Sequence, residues 1–328
     1  MSHLPRLPAP SRIALAIDVI NPAFLDSPIV ANPTLDDRLG CTLIAKLETL
    51  NPIRSFKGRG TGLAVATLPT GTGRVVSASA GNFGQGVAYA AARRGLQSVI
   101  FAATTASPLK LAAMRRLGAH VILDGLDFDA AKIAGQAYAA ANNLVFLEDG
   151  AAPEVAEGAG TIALELTRSG AAYDVLLVPL GNGALATGMG AWMKVERPGC
   201  RVIAVTAAGA PAMLSSWQSG VATETASVQT IADGIAIRVP VPYALACMSA
   251  TVDEVVSVSD TSILAAMRLV HETLGVVVEP AGAVGVAALL EAPARFRGGR
   301  IATVLCGSNV TTAQMAAWLC PGPSREGA

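Results

Sequence analysis

The sequence predicts an α/β protein with two parallel-type sheets that carry helices on both faces, one of them in a small domain inserted in a larger one. Strand-like and helix-like segments alternate along the chain, which is typical of βαβ units on a parallel sheet. Hydrophobic residues make up 52% of the 328 residues and charged residues only 15%. Such a composition suits central strands that are buried on both faces. The length is sufficient for about two domains.

The first alternating series occupies residues 72–148 and predicts the small domain. Four short apolar runs are expected to be its strands, and the longer stretches between them its helices. The strands begin near Val75, Ser98, His120 and Leu144, and the helices span 82–94, 107–117 and 128–141. His120 is therefore expected to start a strand and not to bind a metal.

The second series predicts a discontinuous large domain made of residues 1–71 and 149–328, because the first residues precede the small block. Its strands are expected at 175–179, 202–205, 255–258 and 301–305, and its helices at 184–196, 261–274 and 281–290. The Thr-, Ser- and Pro-rich segment 219–242 is expected to loop over the surface. Residues 321–328 are expected to form a frayed tail.

The composition excludes several classes of function. Lys+Arg and Asp+Glu both number 24, so no net charge favours nucleic acid or a membrane surface. Aromatic residues, at 4%, are too few for base-stacking platforms. The five cysteines are scattered and the three histidines are far apart, so we expect no disulfide framework, no metal and a reducing cytoplasm. No apolar run reaches the ~18 residues of a membrane span.

Lys57 is the most informative residue. It follows the aromatic Phe56 in a stretch bounded by Pro52 and by the helix-unfriendly Gly58 and Gly60. A lysine amine placed to meet a small ligand can form an imine with a carbonyl compound. Taken alone, a lysine followed by glycine is more often a solvated loop residue, so both interpretations stay open here.

Two glycine-bearing loops each join a strand to a helix. Ser79, Ala80, Gly81, Asn82 and Phe83 follow the first strand, where open backbone N–H groups predict a carboxylate or phosphate site, or else a helix cap. The second loop follows the strand at 175–179. It predicts a phosphate site or a tight turn without ligand, and its residues are Gly181, Asn182, Gly183, Ala184 and Leu185.

Two further residues stand where apolar segments end. Cys306 follows the last strand and could face a ligand or be a small buried apolar side chain. Glu279 follows three valines, either as a site carboxylate or as the N-terminal charge of a helix that starts near Pro280.

Together these loops resemble the fold-type II pyridoxal-phosphate enzymes, in particular the threonine/serine dehydratase and serine racemase group. The resemblance covers about residues 25–311, and the order of its seven motifs is specific. They are Ser55-Phe-Lys57, Ser79-Ala-Gly-Asn82, Glu157-Gly-Ala-Gly-Thr-Ile-Ala163, the 181–185 loop, Thr230-Ile-Ala-Asp-Gly234, Glu279-Pro-Ala-Gly282 and Cys306-Gly-Ser-Asn309.

The resemblance implies a role for each motif residue. Lys57 would carry pyridoxal 5'-phosphate as a Schiff base, with Phe56 and Gly234 beside the ring. Asn82 would bind the ring hydroxyl, and Cys306 would face the pyridine nitrogen with a neutral thiol. The phosphate would lie on residues 181–185, with Glu279 also at the cofactor, and the substrate carboxylate on residues 79–83.

The resemblance also implies the reaction. A neutral partner at the pyridine nitrogen favours loss of a β-substituent, with Lys57 as the base and the cofactor phosphate assisting the departure of hydroxide. We therefore expect a lyase that converts a small amino acid, threonine or serine, to a 2-oxo acid and ammonia, and we expect its assembly to be a homodimer.

Several positions depart from the family pattern. Phe83 stands where dehydratases more often have histidine, so a bulkier 3-hydroxy amino acid is an alternative substrate. Ala80 replaces the second acid/base serine of racemases, which disfavours racemisation. Thr206 and Ala212 replace the acids that bind a divalent metal in racemase-like members. No regulatory domain is expected after residue 328.

Three other functions stay open at this stage. The first is β-replacement, as in cysteine synthase relatives, which share the lysine. The second is a non-catalytic protein that binds pyridoxal phosphate or another ligand. A plain nucleotide-binding Rossmann protein ranks last, because no acidic residue follows the 181–185 loop at the ~20-residue spacing of a ribose contact.

Overall fold

A computed structural model describes residues 6–319, and the tail expected at 321–328 lies outside this range. The strands are β1 (Ile29–Val30), β2 (Thr42–Leu47), β3 (Arg74–Ala78), β4 (Gln97–Ala102), β5 (His120–Leu123), β6 (Val145–Leu147), β7 (Val175–Pro179), β8 (Arg201–Ala207), β9 (Glu254–Val258) and β10 (Arg300–Leu305). The first helices are α1 (Pro10–Ala16), α2 (Pro33–Leu39), α3 (Lys57–Ala66), α4 (Asn82–Arg93), α5 (Pro108–Arg116), α6 (Phe128–Ala141) and α7 (Pro153–Arg168). They are followed by α8 (Ala184–Glu196), α9 (Ala212–Ser219), α10 (Pro242–Thr251), α11 (Asp260–Leu274), α12 (Pro280–Glu291), α13 (Pro293–Phe296) and α14 (Thr312–Leu319).

These strands form two separate sheets. The larger has the order β1-β2-β10-β7-β8-β9 and is parallel except for its edge strand β1, which runs antiparallel to β2. The smaller has the order β5-β4-β3-β6 and is parallel throughout. The predicted fold class is confirmed. The smaller sheet falls within residues 72–148, and the division into domains at those boundaries stays a prediction.

The central strands are continuous apolar runs in the sequence, because helices cover both faces of each sheet and bury side chains on either face of these strands. In β7, Leu176, Leu177 and Val178 are all fully buried, although successive side chains point to opposite faces. Leu177 packs in one apolar cluster with α11 and α12, and its two neighbours pack in another with α7 and α8. The central strands could be located from this pattern.

Of the two interpretations left open for Lys57, the solvated loop lysine is wrong. Lys57 is the first residue of α3, and Gly58 and Gly60 lie inside the helix. A Cβ atom on Gly58 would lie 2.1 Å from the ring of Phe24, and one on Gly60 would lie 2.4 Å from the carbonyl oxygen of Val155. The glycines therefore allow close packing of α3 in the interior, and this packing outweighs their low helix propensity.

The expectation of a surface loop at 219–242 holds only for its first part. Residues 220–224 are exposed, whereas Ala232 and Ile235 are buried around a short 3-10 helix at Asp233–Ile235. This later part turns inward against the larger sheet. None of the helices within residues 6–319 is both long enough and apolar enough to cross a membrane.

A buried network of charges holds α3 in place. The Arg59 guanidinium is fully buried and donates to Glu48, which follows β2, at 2.8 and 2.9 Å. It also donates to Glu165 on α7 at 2.5 and 2.9 Å, and to Thr161 at 3.0 Å. Lys46 adds a second cation 2.6 Å from Glu165. Two cations thus balance two carboxylates, as burial of charge requires.

The network also sets the protonation state of Glu165. Burial raises the pKa of this carboxyl, but the hydrogen bonds and charges of Arg59 and Lys46 outweigh burial and hold its pKa below the usual value. The carboxylate therefore stays ionised, and the ion pairs persist, at neutral pH.

We expect the substitution Arg59→Met to destabilise the fold by about 3–5 kcal/mol, because it leaves Glu48 and Glu165 buried without their main partner. The measurement is urea unfolding followed by circular dichroism. Arg300→Met is the control, since Arg300 pairs with Asp174 at an exposed surface and should leave the unfolding midpoint near that of the wild type. Equal midpoints for the two variants would contradict the anchoring role of Arg59.

Candidate active site

Loops from both sheets meet around one cavity at the carboxyl ends of their strands, where ligands of open α/β sheets bind. The structure brings together every residue that the sequence predicts for the site, although the roles assigned to these residues stay predictions. The lining includes Phe56, Lys57, Ser79, Ala80, Gly81, Asn82, Phe83, Gly181, Asn182, Gly183, Ala184, Leu185, Gly234, Glu279 and Cys306.

Lys57 projects into this cavity from the first turn of α3. Its side chain is only 14% exposed, and its Nζ lies 2.6 Å from Oδ2 of Asp149. The rings of Phe56 and Phe83 lie 4.8 and 5.7 Å from the same nitrogen. The amine is thus enclosed by two aromatic rings and one carboxylate, which is not the environment of a solvated loop lysine.

The 181–185 loop has the shape of an anion cradle. Gly183 adopts a φ of 94°, a left-handed conformation that favours glycine, and a Cβ atom there would lie 2.7 Å from Cβ of Ala244. The helix α8 begins at the next residue, so its first N–H groups lack partners within the helix and face the cavity end. Helix starts of this kind bind phosphate.

The 79–83 loop contains a helix cap and also leaves free donors for an anion, the two interpretations that the sequence left open. Ser79 Oγ accepts hydrogen bonds from the N–H groups of Gly81 and Gly84, at 3.1 and 2.9 Å, and so caps the start of α4. The N–H groups of Asn82 and Phe83 belong to the first turn of α4 and have no partner within the helix. A substrate carboxylate could bind these remaining donors.

A hydrogen-bond network joins the two sides of the cavity. Asn82 donates through Nδ2 to Glu279 at 2.7 Å, and Asn309 donates through its side chain to Asn82 at 2.8 Å. Glu279 also accepts from the backbone N–H of Asn309 at 3.2 Å. Glu279 directly precedes α12, which agrees with its interpretation as a charge at a helix N-terminus, and its side chain also lines the cavity. Burial raises the pKa of its carboxyl, with Lys110 and Asn82 opposing that effect.

Cys306 is buried beside Lys57 at the floor of the cavity. Its carbonyl oxygen accepts a hydrogen bond from the N–H of Phe56 at 3.0 Å, which ties the end of β10 to the start of α3. Burial, and next the negative charge of Glu279, raise the pKa of the thiol. The sulfur therefore meets a ligand as a neutral S–H group at physiological pH.

The sequence analysis gave no role to three charged residues that line the cavity, Lys110, Asp149 and Asp233. Lys110 on α5 pairs with Asp233, whose side chain is mostly exposed at the cavity mouth. Asp149 follows β6 and contacts Lys57. The position of Asp149 after a strand could have indicated a site residue, because β6 neighbours β3 in the sheet. Lys110 lies inside a helix, and no pattern in the sequence indicates that it reaches the cavity.

These residues fit pyridoxal phosphate. An enclosed lysine amine can link to its aldehyde, the glycine cradle can hold a phosphate, and the neutral Cys306 thiol can face a ring nitrogen. Gly183 shows that this loop requires glycine, because its φ is left-handed and Ala244 occupies the place that a Cβ atom would take. Within residues 6–319, no group of three or more His, Cys, Asp and Glu side chains could hold a metal ion.

Known proteins resemble this chain along most of its length. Residues 20–307 match the family described as "Pyridoxal-phosphate dependent enzyme". The L-threonine ammonia-lyase of Thermotoga maritima is 36% identical over 84% of this chain and 69% of its own length. The biosynthetic L-threonine dehydratase of Salmonella typhimurium is 32% identical over 87% of this chain, which spans only 56% of that enzyme. Maize serine racemase has a TM-score of 0.89 at 27% identity, covering 95% of this chain and 97% of its own.

Fold, cavity and comparisons define a pyridoxal-phosphate-dependent enzyme of fold type II. The chain belongs to the threonine/serine dehydratase family of these enzymes. The family and the cofactor predicted from the sequence are therefore confirmed.

We expect Gly183→Ala to weaken cofactor binding at least about tenfold. The left-handed backbone costs a side chain about 1–2 kcal/mol, and the new methyl group also collides with Ala244. The measurement is the absorbance change when pyridoxal phosphate is titrated into the cofactor-free protein. The control is Gly199→Ala, where a Cβ atom meets nothing within 4 Å. Wild-type affinity in Gly183→Ala would show that the loop is not the phosphate cradle.

Proposed function

We propose that this protein is a pyridoxal-phosphate-dependent lyase that removes water from a β-hydroxy amino acid, threonine or serine, and yields a 2-oxo acid and ammonia. The observation that carries the proposal is the enclosed Nζ of Lys57 between two loops that can each bind an anion. The threonine dehydratase of Salmonella and the threonine ammonia-lyase of Thermotoga support this reaction type.

The two loops would divide the anionic groups between them. The backbone N–H groups of residues 181–185 hold the cofactor phosphate, while those of residues 79–83 hold the substrate carboxylate. Asn82 has one amide hydrogen committed to Glu279, which leaves the other for the ring hydroxyl. Phe56 and Gly234, which line the same cavity, would lie beside the ring. Cα of a substrate would then lie near Lys57.

Lys57 has two roles in this proposal. It is the covalent attachment point of the cofactor, and once released it takes the proton from Cα. When bound, the cofactor withdraws electrons from Cα and makes its proton acidic enough to remove. The Phe56 and Phe83 rings exclude water from the amine, which protects the reactive carbon from unwanted protonation.

Two residues favour elimination over the other reactions of the family. The neutral thiol of Cys306 does not supply a charge that would keep the ring nitrogen protonated, so loss of the β-group is favoured. Ala80 offers no hydroxyl to reprotonate Cα from the opposite face, so racemisation is disfavoured. A bulkier 3-hydroxy amino acid, a cytoplasmic location and a homodimer stay predictions.

The proposed activity is tested with purified protein, a panel of 3-hydroxy amino acids and an assay for 2-oxo acids. We expect product from threonine or serine, and a loss of more than about 100-fold in Lys57→Ala, which removes both the attachment point and the base. Lys132→Ala is the control, because Lys132 pairs with Glu148 and neither residue lines the cavity. Borohydride reduction and peptide mapping should find the cofactor on Lys57.

Three outcomes would count against the proposal. A label on another residue would overturn the assignment of Lys57. Absence of oxo acid from every hydroxy substrate would overturn the dehydratase activity. Faster product formation from O-acetylserine with a thiol would favour β-replacement instead.

A further inference from the structure

The cavity has to bind two anions if the proposed function holds, the cofactor phosphate and the carboxylate of the amino acid. The charged side chains that line it do not favour anions. Within residues 6–319, the lining holds three carboxylates against two amines, namely Asp149, Asp233 and Glu279 against Lys57 and Lys110. Lys57 pairs with Asp149 and is the proposed attachment point of the cofactor. Of the two lining amines, Lys110 therefore remains for an anionic ligand.

The fold places Lys110 beside the loop at residues 79–83. β4 pairs in parallel with β3, so the segments that follow these two strands share one edge of the sheet. The loop follows β3, and Lys110 lies in the first turn of α5, the helix that follows β4. A Cβ atom on Gly81 would lie 3.7 Å from Cδ and 3.8 Å from Nζ of Lys110. The ammonium group thus lies against the backbone that is proposed to bind the substrate carboxylate.

The present partner of Lys110 is one that a ligand can displace. The Lys110 side chain is only 12% exposed, whereas that of Asp233 is 62% exposed. An ion pair with such an exposed carboxylate contributes little free energy, because water competes for both charges. A substrate carboxylate inside the cavity would be less hydrated, and opposite charges attract more strongly where water is excluded. Exchange of Asp233 for a bound carboxylate is therefore favourable.

The charge of Lys110 also acts in the interior of the cavity. Glu279 is buried, and burial raises the pKa of its carboxyl. The positive charge of Lys110 opposes that rise. An amine near the mouth whose field reaches a buried carboxyl also attracts an anion that enters between them.

We propose that Lys110 binds the α-carboxylate of the substrate and so determines that the enzyme accepts free amino acids. The inference rests on the proposed function, which makes the ligand an amino acid. The backbone N–H groups of Asn82 and Phe83 orient the carboxylate, and the Lys110 ammonium group supplies the full positive charge that these neutral donors lack. Asp233 holds Lys110 at the mouth until a substrate takes its place. Lys110 makes and breaks no bond of the substrate.

The test compares glycine with glycinamide, titrated into the holoenzyme and followed by visible absorbance. Glycine has no β-substituent to lose, so binding is measured without elimination. In Lys110→Met, we expect the Kd of glycine to rise about 10- to 100-fold, the usual loss when a charged hydrogen bond is removed. The Kd of glycinamide should rise less than about fivefold, because its amide carries no charge for Lys110 to pair with. Equal rises for both ligands would overturn the proposal.

Two further variants serve as controls of the charge and of the substitution. Lys110→Arg retains the positive charge and should restore most of the affinity for glycine. Lys194→Met removes a lysine that also pairs with an aspartate, Asp253, but lies outside the cavity lining. It should leave both dissociation constants unchanged. An Arg variant as weak as the Met variant would contradict a role for the charge.

A variant of Asp233 separates carboxylate binding from the ion pair itself. If Lys110 served only to pair with Asp233, loss of either residue would have the same effect. Under the proposal, Asp233→Asn removes the competitor of the substrate and should lower the Kd of glycine about two- to fivefold. A rise in Kd like that of Lys110→Met would overturn the proposal.

Turnover distinguishes failure of this inference from failure of the proposed function. In Lys110→Met, we expect the KM of serine to rise while kcat changes little, because the carboxylate is held equally before and during the reaction. If the wild type dehydrates no hydroxy amino acid and Lys110→Met still loses glycine selectively, the lyase function is wrong and the role of Lys110 stands. If the wild type is active and Lys110→Met binds glycine as the wild type does, the lyase function stands and the role of Lys110 is wrong. Weaker binding of 3-hydroxyaspartate with unchanged binding of serine would assign Lys110 to a side-chain carboxylate, against the proposal.

Discussion

The buried guanidinium of Arg59 is the interaction on which the geometry of the cavity depends. It ties α3 to the residue after β2 and to α7, and α3 begins with Lys57 only two residues earlier. Helix α7 begins shortly after Asp149, so the same network fixes the segments that carry both members of the lysine–carboxylate pair. A buried ion cluster adds little net stability compared with apolar packing, but it allows only one arrangement of these elements. Reactive atoms that must meet within hydrogen-bonding distance benefit from such a constraint.

Charge in the cavity is arranged by depth. At the mouth, Lys110 pairs with Asp233, whose carboxylate water can still reach. Deeper in, the groups are held in defined protonation states: burial keeps the proton on Cys306 and raises the pKa of Glu279. The two proposed anion-binding positions would use backbone N–H groups at helix starts, which carry partial positive charge without a titratable side chain. Lys57 and Asp149 form an ion pair between these positions and the deeper groups.

Elements and site loops could be predicted from the sequence where the local residue pattern favours the same structure as the tertiary packing. Strands β3 to β10 could be placed because apolar runs alternate with helical stretches, and the cavity loops could be placed because glycine follows strand ends. The helix that begins at Lys57 was not predicted, because glycine normally disfavours a helix. Here Gly58 and Gly60 are needed for close contacts with Phe24 and Val155 that no local pattern shows. Asp149 was missed for a related reason. An acidic residue after a strand is common, and its contact with a lysine 92 positions earlier exists only in the folded chain.

The separation of the two sheets has a consequence for how molecules enter. Within residues 6–319, no strand of one sheet pairs with a strand of the other, so the parts can shift relative to each other without breaking a β-ladder. The Lys110–Asp233 pair at the entrance is an attraction between partly hydrated charges, which dissolved ions screen within about a Debye length. We therefore expect the passage of a small molecule into the cavity to respond to the ionic strength of its surroundings.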